Sequence, residues 1–214
     1  MTLFLKKEKN WKDFVILKGV NPVVKFFTIS DFIVISGFGL VSPIFAVFIS
    51  DNIKGGNLEV VGIAGMIYLL TRSLLQIPIA QFIDKIKGEK DDFLILFLGS
   101  IAYSFIFLLY IIVTTPTQLY FIQFLYGLIS ALTLPGWYAI FTRHIDKRHE
   151  GMEWGVYTTF TDLGAAAAAG MGGFFASRFG FTNLFIVASI VSFVGALFLW
   201  GAYGSLKKKT IFDR

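Results

Sequence analysis

The sequence predicts an all-α membrane protein, a bundle of six transmembrane helices with both chain ends on the cytoplasmic side. Three observations carry this expectation. The chain is 56% hydrophobic and only 15% charged, where an ordinary soluble domain has ~25% charged residues. Its apolar residues gather into six runs of about 20, the length that crosses a hydrocarbon core as a helix with every backbone polar group paired inside the segment. Its basic residues fall almost entirely into alternate connections between those runs. The mean hydropathy of +0.72 and 25 phenylalanines belong to a chain that uses lipid as its solvent.

Taken in order, residues 1–25 carry Lys6, Lys7, Lys9, Lys12, Lys18 and Lys25 among Leu3, Phe4, Leu5, Trp11, Phe14, Ile16 and Leu17. Two readings are open: an amphipathic anchor in the headgroup plane with Trp11 at the interface, or a solvated basic tail. The segment is mixed and cut by Pro22, unlike the uninterrupted apolar core of a cleaved signal peptide. The transmembrane domain, 26–203, follows with spans at 26–50, 59–83, 93–113, 118–142, 154–176 and 183–203. Short connections rich in turn residues separate them, such as 51–56 and 114–117. A basic tail, 204–214, closes the chain.

Orientation comes from the lysines and arginines. One side collects the six N-terminal lysines, Lys85, Lys87 and Lys90 after span two, Arg143, Lys147 and Arg148 after span four, and Lys207, Lys208, Lys209 and Arg214 in the tail. The other side has only Lys54 and Arg178, and under the positive-inside rule the basic side is cytoplasmic. The same distribution disposes of nucleic acid as the partner implied by a net charge of +5, because this charge is topogenic. The absence of cysteine excludes disulfides, thiolate metal sites and a cysteine nucleophile. No serine sits in a nucleophile elbow and no glycine-rich phosphate loop is present, so the expectation is a non-enzyme without cofactor or metal. His144 and His149 flank Asp146 and Glu150 in the loop after span four and read as a solvated charge cluster.

Ionisable side chains inside a span are costly and mark solute or proton paths. Asp31, Arg72 and Asp162 qualify, at depths of ~8, ~16 and ~12 Å from the cytoplasmic ends of their spans at 1.5 Å per residue. Asp31 and Arg72 are close enough in depth to pair, which would let protonation of Asp31 bias two conformations. Span four presents Gln123, Gly127, Ser130, Leu134 and Trp137 at helical spacing, with Tyr120, Tyr126, Thr133 and Tyr138 beside them. That stripe is either a cavity lining or polar glue between helices. Span one adds Ser36, Gly37, Gly39, Ser42 and Pro43, residues that permit a kink at a binding site. Span five runs through Gly164, Ala168, Ala169, Gly172 and Gly173 with almost no side-chain bulk, a surface on which another helix can pack closely. Spans three and six read as lipid-facing supports.

The chain resembles one half of a major facilitator superfamily transporter over residues 22–203. The family's loop between its second and third helices places Gly, Asp-Arg and Gly-Arg-Lys at spacings similar to Ala80, Asp84, Lys85, Gly88 and Lys90. Here Ala replaces the first Gly, Lys replaces Arg, and one extra residue precedes Gly88. The glycine-rich fifth-helix signature is similar to Gly164, Ala168, Ala169, Gly172 and Gly173, without its proline. The turn Arg178-Phe179-Gly180-Phe181 also resembles the family's entry into its sixth helix. The family normally has twelve helices in two halves about an axis along the membrane normal. The resemblance therefore implies a parallel homodimer working by alternating access on a small solute, with protons as a candidate coupling ion. Span two of one copy would pack on span five of the other, and Asp84 would latch the cytoplasmic gate near the partner's Trp154 and Gly155. Two other readings are a non-transporting scaffold, receptor or regulatory subunit, and half of a heteromeric transporter. The expected location is the lipid bilayer of a prokaryotic inner membrane.

Overall fold

The computed structural model describes residues 14–18, 20–85 and 88–206. The expectations that rest on Trp11, the lysines before Lys18, Lys87 and residues 207–214 lie outside them. Helix α1, Pro22–Val41, is started by the Asn21 side chain, which accepts from the Val23 N–H at 2.9 Å, with Pro22 in the first turn where its missing N–H costs nothing. A 3₁₀ turn at Ser42–Ile44 and a short α2, Phe45–Asn52, carry the same apolar path onward. The turn centres on Pro43, where the sequence predicts a kink. Helix α3 spans Leu58–Lys85 and α4 Glu89–Tyr110. Helix α5, Pro116–His144, opens on a capping box between Thr115 and Gln118. Helix α6 covers Glu150–Leu199 and ends in a 3₁₀ turn at Trp200–Ser205.

Among the described residues five helical paths are long and apolar enough to cross a membrane, the last of them Glu150–Ser205. At 50 residues a straight α6 would be about 75 Å long, more than twice a bilayer core. It is not straight. Gly180 breaks it at φ 78° and ψ 166°, backbone that only glycine adopts freely, and a Cβ there would meet nothing. The register against α1 shows that the chain reverses at this point. Along 150–179, Phe32 and Ser36 meet Gly164 and Leu40 meets Gly172, so the two helices run parallel. Along 181–199, Gly37 meets Ala188 and Ser192 while Ser30 and Val34 meet Gly195, which is antiparallel. Helix α1 thus lies between the two arms of a helical hairpin.

The remaining contacts complete an open ring. Helix α4 packs on the second arm through Phe97 with Trp200, Phe105 with Phe193 and Tyr110 with Phe185. It packs on α5 on its other side, and α5 on α3. Helices α3 and α6 make no substantial contact with one another, so the ring is open between α3 and the first arm of α6. Two apolar clusters hold the ends. One joins Phe48, Ile49, Tyr110, Leu119 and Phe185, and the other Phe27, Phe93, Trp137, Phe141 and Leu199. The second lies at the end bearing Lys85, Arg143 and Lys147, called the basic end below.

Of the N-terminal segment, Phe14, Leu17 and Val20 are buried in the basic-end cluster, with the Phe14 ring 5.1 Å from His149, while Val15 and Ile16 are exposed. One expectation is corrected. Spans three and six are more than lipid-facing supports. Ser189, Ser192 and Gly195 are buried against α1, and Ser100 and Tyr103 of α4 face a cavity. A few small or polar side chains at helical spacing decide an inward face even in a run dominated by Leu, Ile and Phe.

The α1 packing predicts a sharp contrast. A Cβ on Gly172 would stand 2.0 Å from the Leu40 carbonyl oxygen, whereas one on Gly170 meets nothing within 4 Å. Gly172→Leu should lower stability by about 1–3 kcal/mol or more through overpacking, while Gly170→Ala should be neutral or stabilising by up to ~1 kcal/mol. Thermal unfolding of both variants in one detergent checks this, and equal midpoints would contradict the packing.

Candidate functional site: two cavities and an aromatic partition

Helices α1 and α5 touch only sparsely, and the space between them holds two cavities. The one toward the basic end has a volume of about 390 Å³ and is lined by Asp31, Ser100, Tyr103, Trp137, Trp154 and Tyr157, among others. The far-end cavity, about 460 Å³, is lined by Ser42, Phe45, Val61, Gly65, Tyr110 and Gln123, among others. Phe38 and Tyr126 line both.

These two rings belong to a partition. Phe38 stacks on Tyr126 at 5.7 Å and 14°, and Tyr126 on Tyr68 at 4.4 Å and 18°. Tyr103 stands edge-on to Phe38 and Tyr126 at 5.9 and 5.5 Å, the arrangement that opposes the positive edge of one ring to the negative face of another. Below the rings the Ser130 hydroxyl joins Tyr103 and Tyr68, the latter at 3.3 Å. Arg72 donates from Nη1 to the Tyr68 hydroxyl at 3.2 Å. Stacking and hydrogen bonds together fix the rings across the mid-depth of the bundle.

The sequence-predicted residues separate into groups. Asp31 is half-buried and its Oδ2 accepts from the Tyr157 hydroxyl at 2.9 Å. It makes no pair with Arg72, because α1 turns Asp31 toward α6 whereas Arg72 projects from α3 toward Tyr68. Trp137 is buried and stacked on Phe141 at 4.7 Å, and its Nε1–H makes no well-formed hydrogen bond among the described residues. Gln123 donates from Nε2 to the Tyr110 hydroxyl at 3.3 Å. The span-four stripe serves both ends left open for it: Gln123, Tyr126, Leu134 and Trp137 line cavities, while Gly127 and Ser130 bind α5 to α3 and α4. Asp162 is exposed, with no hydrogen bond or ion pair among the described residues.

The small residues of α6 split between two faces. Gly164, Ala168 and Gly172 are buried against α1, whereas Ala169 and Gly173 turn toward the open side, with nothing within 4 Å of a Cβ at Gly173. In the last turns of α3, where the sequence predicts a loop, Ala80 is half-buried and Asp84 and Lys85 are exposed. Gly88 forms the N-cap of α4 at φ 149°, and Lys90 Nζ lies 4.5 Å from the Tyr203 ring. Behind this loop Arg143 pairs with the buried Asp92 at 3.8 Å. His144 is not part of a solvated cluster. It is 7% exposed, with Nδ1 2.9 Å from the Ile140 carbonyl and Nε2 3.6 Å from Glu89. Helix α5 continues to His144, two residues past the predicted boundary, and so carries the ring into the packed end.

The partition residues Phe38, Tyr68 and Tyr103 and the Asp31 partner Tyr157 are absent from the sequence expectations. Tyr68 had a signal, since it precedes Arg72 by four residues and shares its helix face. Tyr157 had none, because its partner comes from a helix more than a hundred residues away.

A bundle that is apolar outside and places polar side chains around two internal cavities defines an integral, multi-pass α-helical membrane protein. The Major Facilitator Superfamily profile matches residues 27–211, and the chain belongs to that superfamily, whose members are transporters and not enzymes. No curated protein matches the chain.

The partition predicts sided access. In the cysteine-free chain, Ser100→Cys and Gly65→Cys place single thiols in the two cavities. A membrane-impermeant maleimide should reach each from one side only, and Tyr126→Ala should let the reagent cross to both. An unchanged labelling pattern in Tyr126→Ala would show that these rings are not the barrier.

Proposed function

We propose that the chain is a secondary transporter of a small solute, working by alternating access as a parallel homodimer. The observation that carries this is the pair of cavities meeting at one aromatic partition, in a helix ring left open on one side. A half-ring with an open side is what a second half-ring would complete. Counting the two arms of α6 separately gives six crossings, which return both termini to one side in every copy and permit a parallel two-fold dimer. The excess of Lys and Arg at the basic end supports a cytoplasmic assignment for that side.

In this reading the site is the basic-end cavity and its counterpart in the second copy. Asp31, held by Tyr157, is the charge that binds the solute or a coupling proton, and Gln123, Tyr126, Ser130 and Trp137 shape the path. Rocking of the two copies exposes the site alternately by parting the rings of Phe38, Tyr68, Tyr103 and Tyr126. Asp84 is exposed at the end of α3 and free to latch the partner's first α6 arm, where the helix dipole favours a carboxylate.

Ligand screening by thermal shift would identify the solute, since a substrate raises apparent stability by mass action. In proteoliposomes, an imposed pH gradient should drive its uptake, and Asp31→Asn should abolish the gradient-driven component while leaving the thermal shift measurable. Uptake that is pH-independent and unchanged in Asp31→Asn removes proton coupling. Asp84→Asn should change labelling of Ser100→Cys without altering membrane insertion, and an unchanged rate returns the loop to a topological role. A chain that is monomeric in native mass measurements and moves no solute would favour the scaffold reading.

A further inference from the structure

Two ionisable side chains remain unexplained by the cavities, and they carry opposite charges. Arg72 is half-buried on α3 and donates to the Tyr68 hydroxyl, while Asp162 on the first arm of α6 is exposed. Among the described residues neither meets a counter-ion, and an isolated charge in hydrocarbon is costly. Arg72 lies thirteen residues from Lys85 and Asp162 twelve from Glu150, both helix ends being at the basic end. At 1.5 Å per residue the two groups stand about 20 and 18 Å deep, essentially level.

They also sit on the two helices that flank the open side of the ring. Around Asp162, Ala166, Ala169 and Gly173 recur at intervals of four, three and four, one continuous helix face of minimal bulk. On α3, Gly65 precedes Arg72 by seven residues on the same face, and a Cβ at Gly65 or Gly173 would meet nothing within 4 Å. Helix α3 is the least buried of the five spanning paths, at 17% of its apolar window. Both faces border the open side and carry one charge each, with opposite signs; the α6 face is smooth, and the α3 face carries Tyr68 between Gly65 and Arg72.

We propose that Arg72 of each copy forms an ion pair with the partner's Asp162, twice about a two-fold axis along the membrane normal. This rests on the homodimeric reading and specifies its register. The axis brings the open side of one ring to that of the other and lays each α3 against the partner's first α6 arm. The alternative register, α3 on α3, would oppose two arginines in a low-dielectric setting and is disfavoured by their repulsion. The pair neutralises both charges and lets the two faces meet closely enough for van der Waals packing to hold the helices. It also gives each cavity a wall supplied by the other copy.

The absence of native cysteine makes the test direct. Two differently tagged full-length chains, one Arg72→Cys and the other Asp162→Cys, are co-expressed and oxidised in membrane vesicles. A mixed-tag disulfide should form, and it should be lost when Leu74→Cys, on the opposite face of α3, replaces Arg72→Cys. In parallel, Arg72→Asp and Asp162→Arg should each weaken the dimer by about tenfold or more, and the double reversal should restore it. A native-mass dimer without the mixed disulfide and indifferent to both reversals overturns this register and leaves the dimer standing. A strict monomer overturns both.

Discussion

Everything in this bundle depends on how closely α1 approaches the two arms of α6. Lipid offers no hydrophobic reward for bringing helices together, so association rests on dispersion contact and on hydrogen bonds that the backbone does not use up. The contacts at Gly37, Gly39, Gly172 and Gly195 place backbone against backbone on both sides of α1. Ser30 adds a hydrogen bond to the Gly195 carbonyl at 2.8 Å. A helix clamped on two sides cannot rotate freely. That clamp aims Asp31 at Tyr157 and sets Phe38 at the centre of the molecule.

The middle of the bundle is built on a different principle. Between α1, α3, α4 and α5 the contacts are made by large rings, and rings leave gaps where their edges do not meet. Those gaps are the cavities. The polar atoms among them are mostly satisfied by one another, through Ser130 with Tyr68 and Tyr103, Gln123 with Tyr110, and Tyr157 with Asp31. The Trp137 indole N–H is the exception, lining the same cavity as Asp31 without a well-formed hydrogen bond among the described residues. A packed small-residue core on one side and a ring-lined space on the other give the bundle a rigid half and an adaptable half.

At the basic end, side-chain contacts tie the first turn of α4 to the helices behind it. Arg143 meets Asp92, His144 meets Glu89, and Lys90 covers Tyr203. Acidic residues in the first turn of α4 also face the positive end of their own helix. Asp84 and Lys85 at the end of α3 stay exposed, so the start of α4 is braced from within while the end of α3 remains open to contact.

Much of this architecture was legible in the residues. The long apolar helices and the break between residues 176 and 183 follow from one-dimensional constraints: hydrocarbon thickness and the cost of charge in lipid. The cavity residues on α5 were legible too, because polar groups at helical spacing in an apolar run have few reasons to exist. Tertiary structure alone decided the pairings. Asp31 and Arg72 lie within pairing reach of one another in depth along their spans, yet depth along a helix says nothing of rotation about it, and in the structure one bonds Tyr157 and the other Tyr68. The small residues of α6 likewise looked like a single stripe, and only the position of α1 divided them into a face already filled and a face left open. Sequence determined how deep each group lies; the contacts between helices determined which way it points.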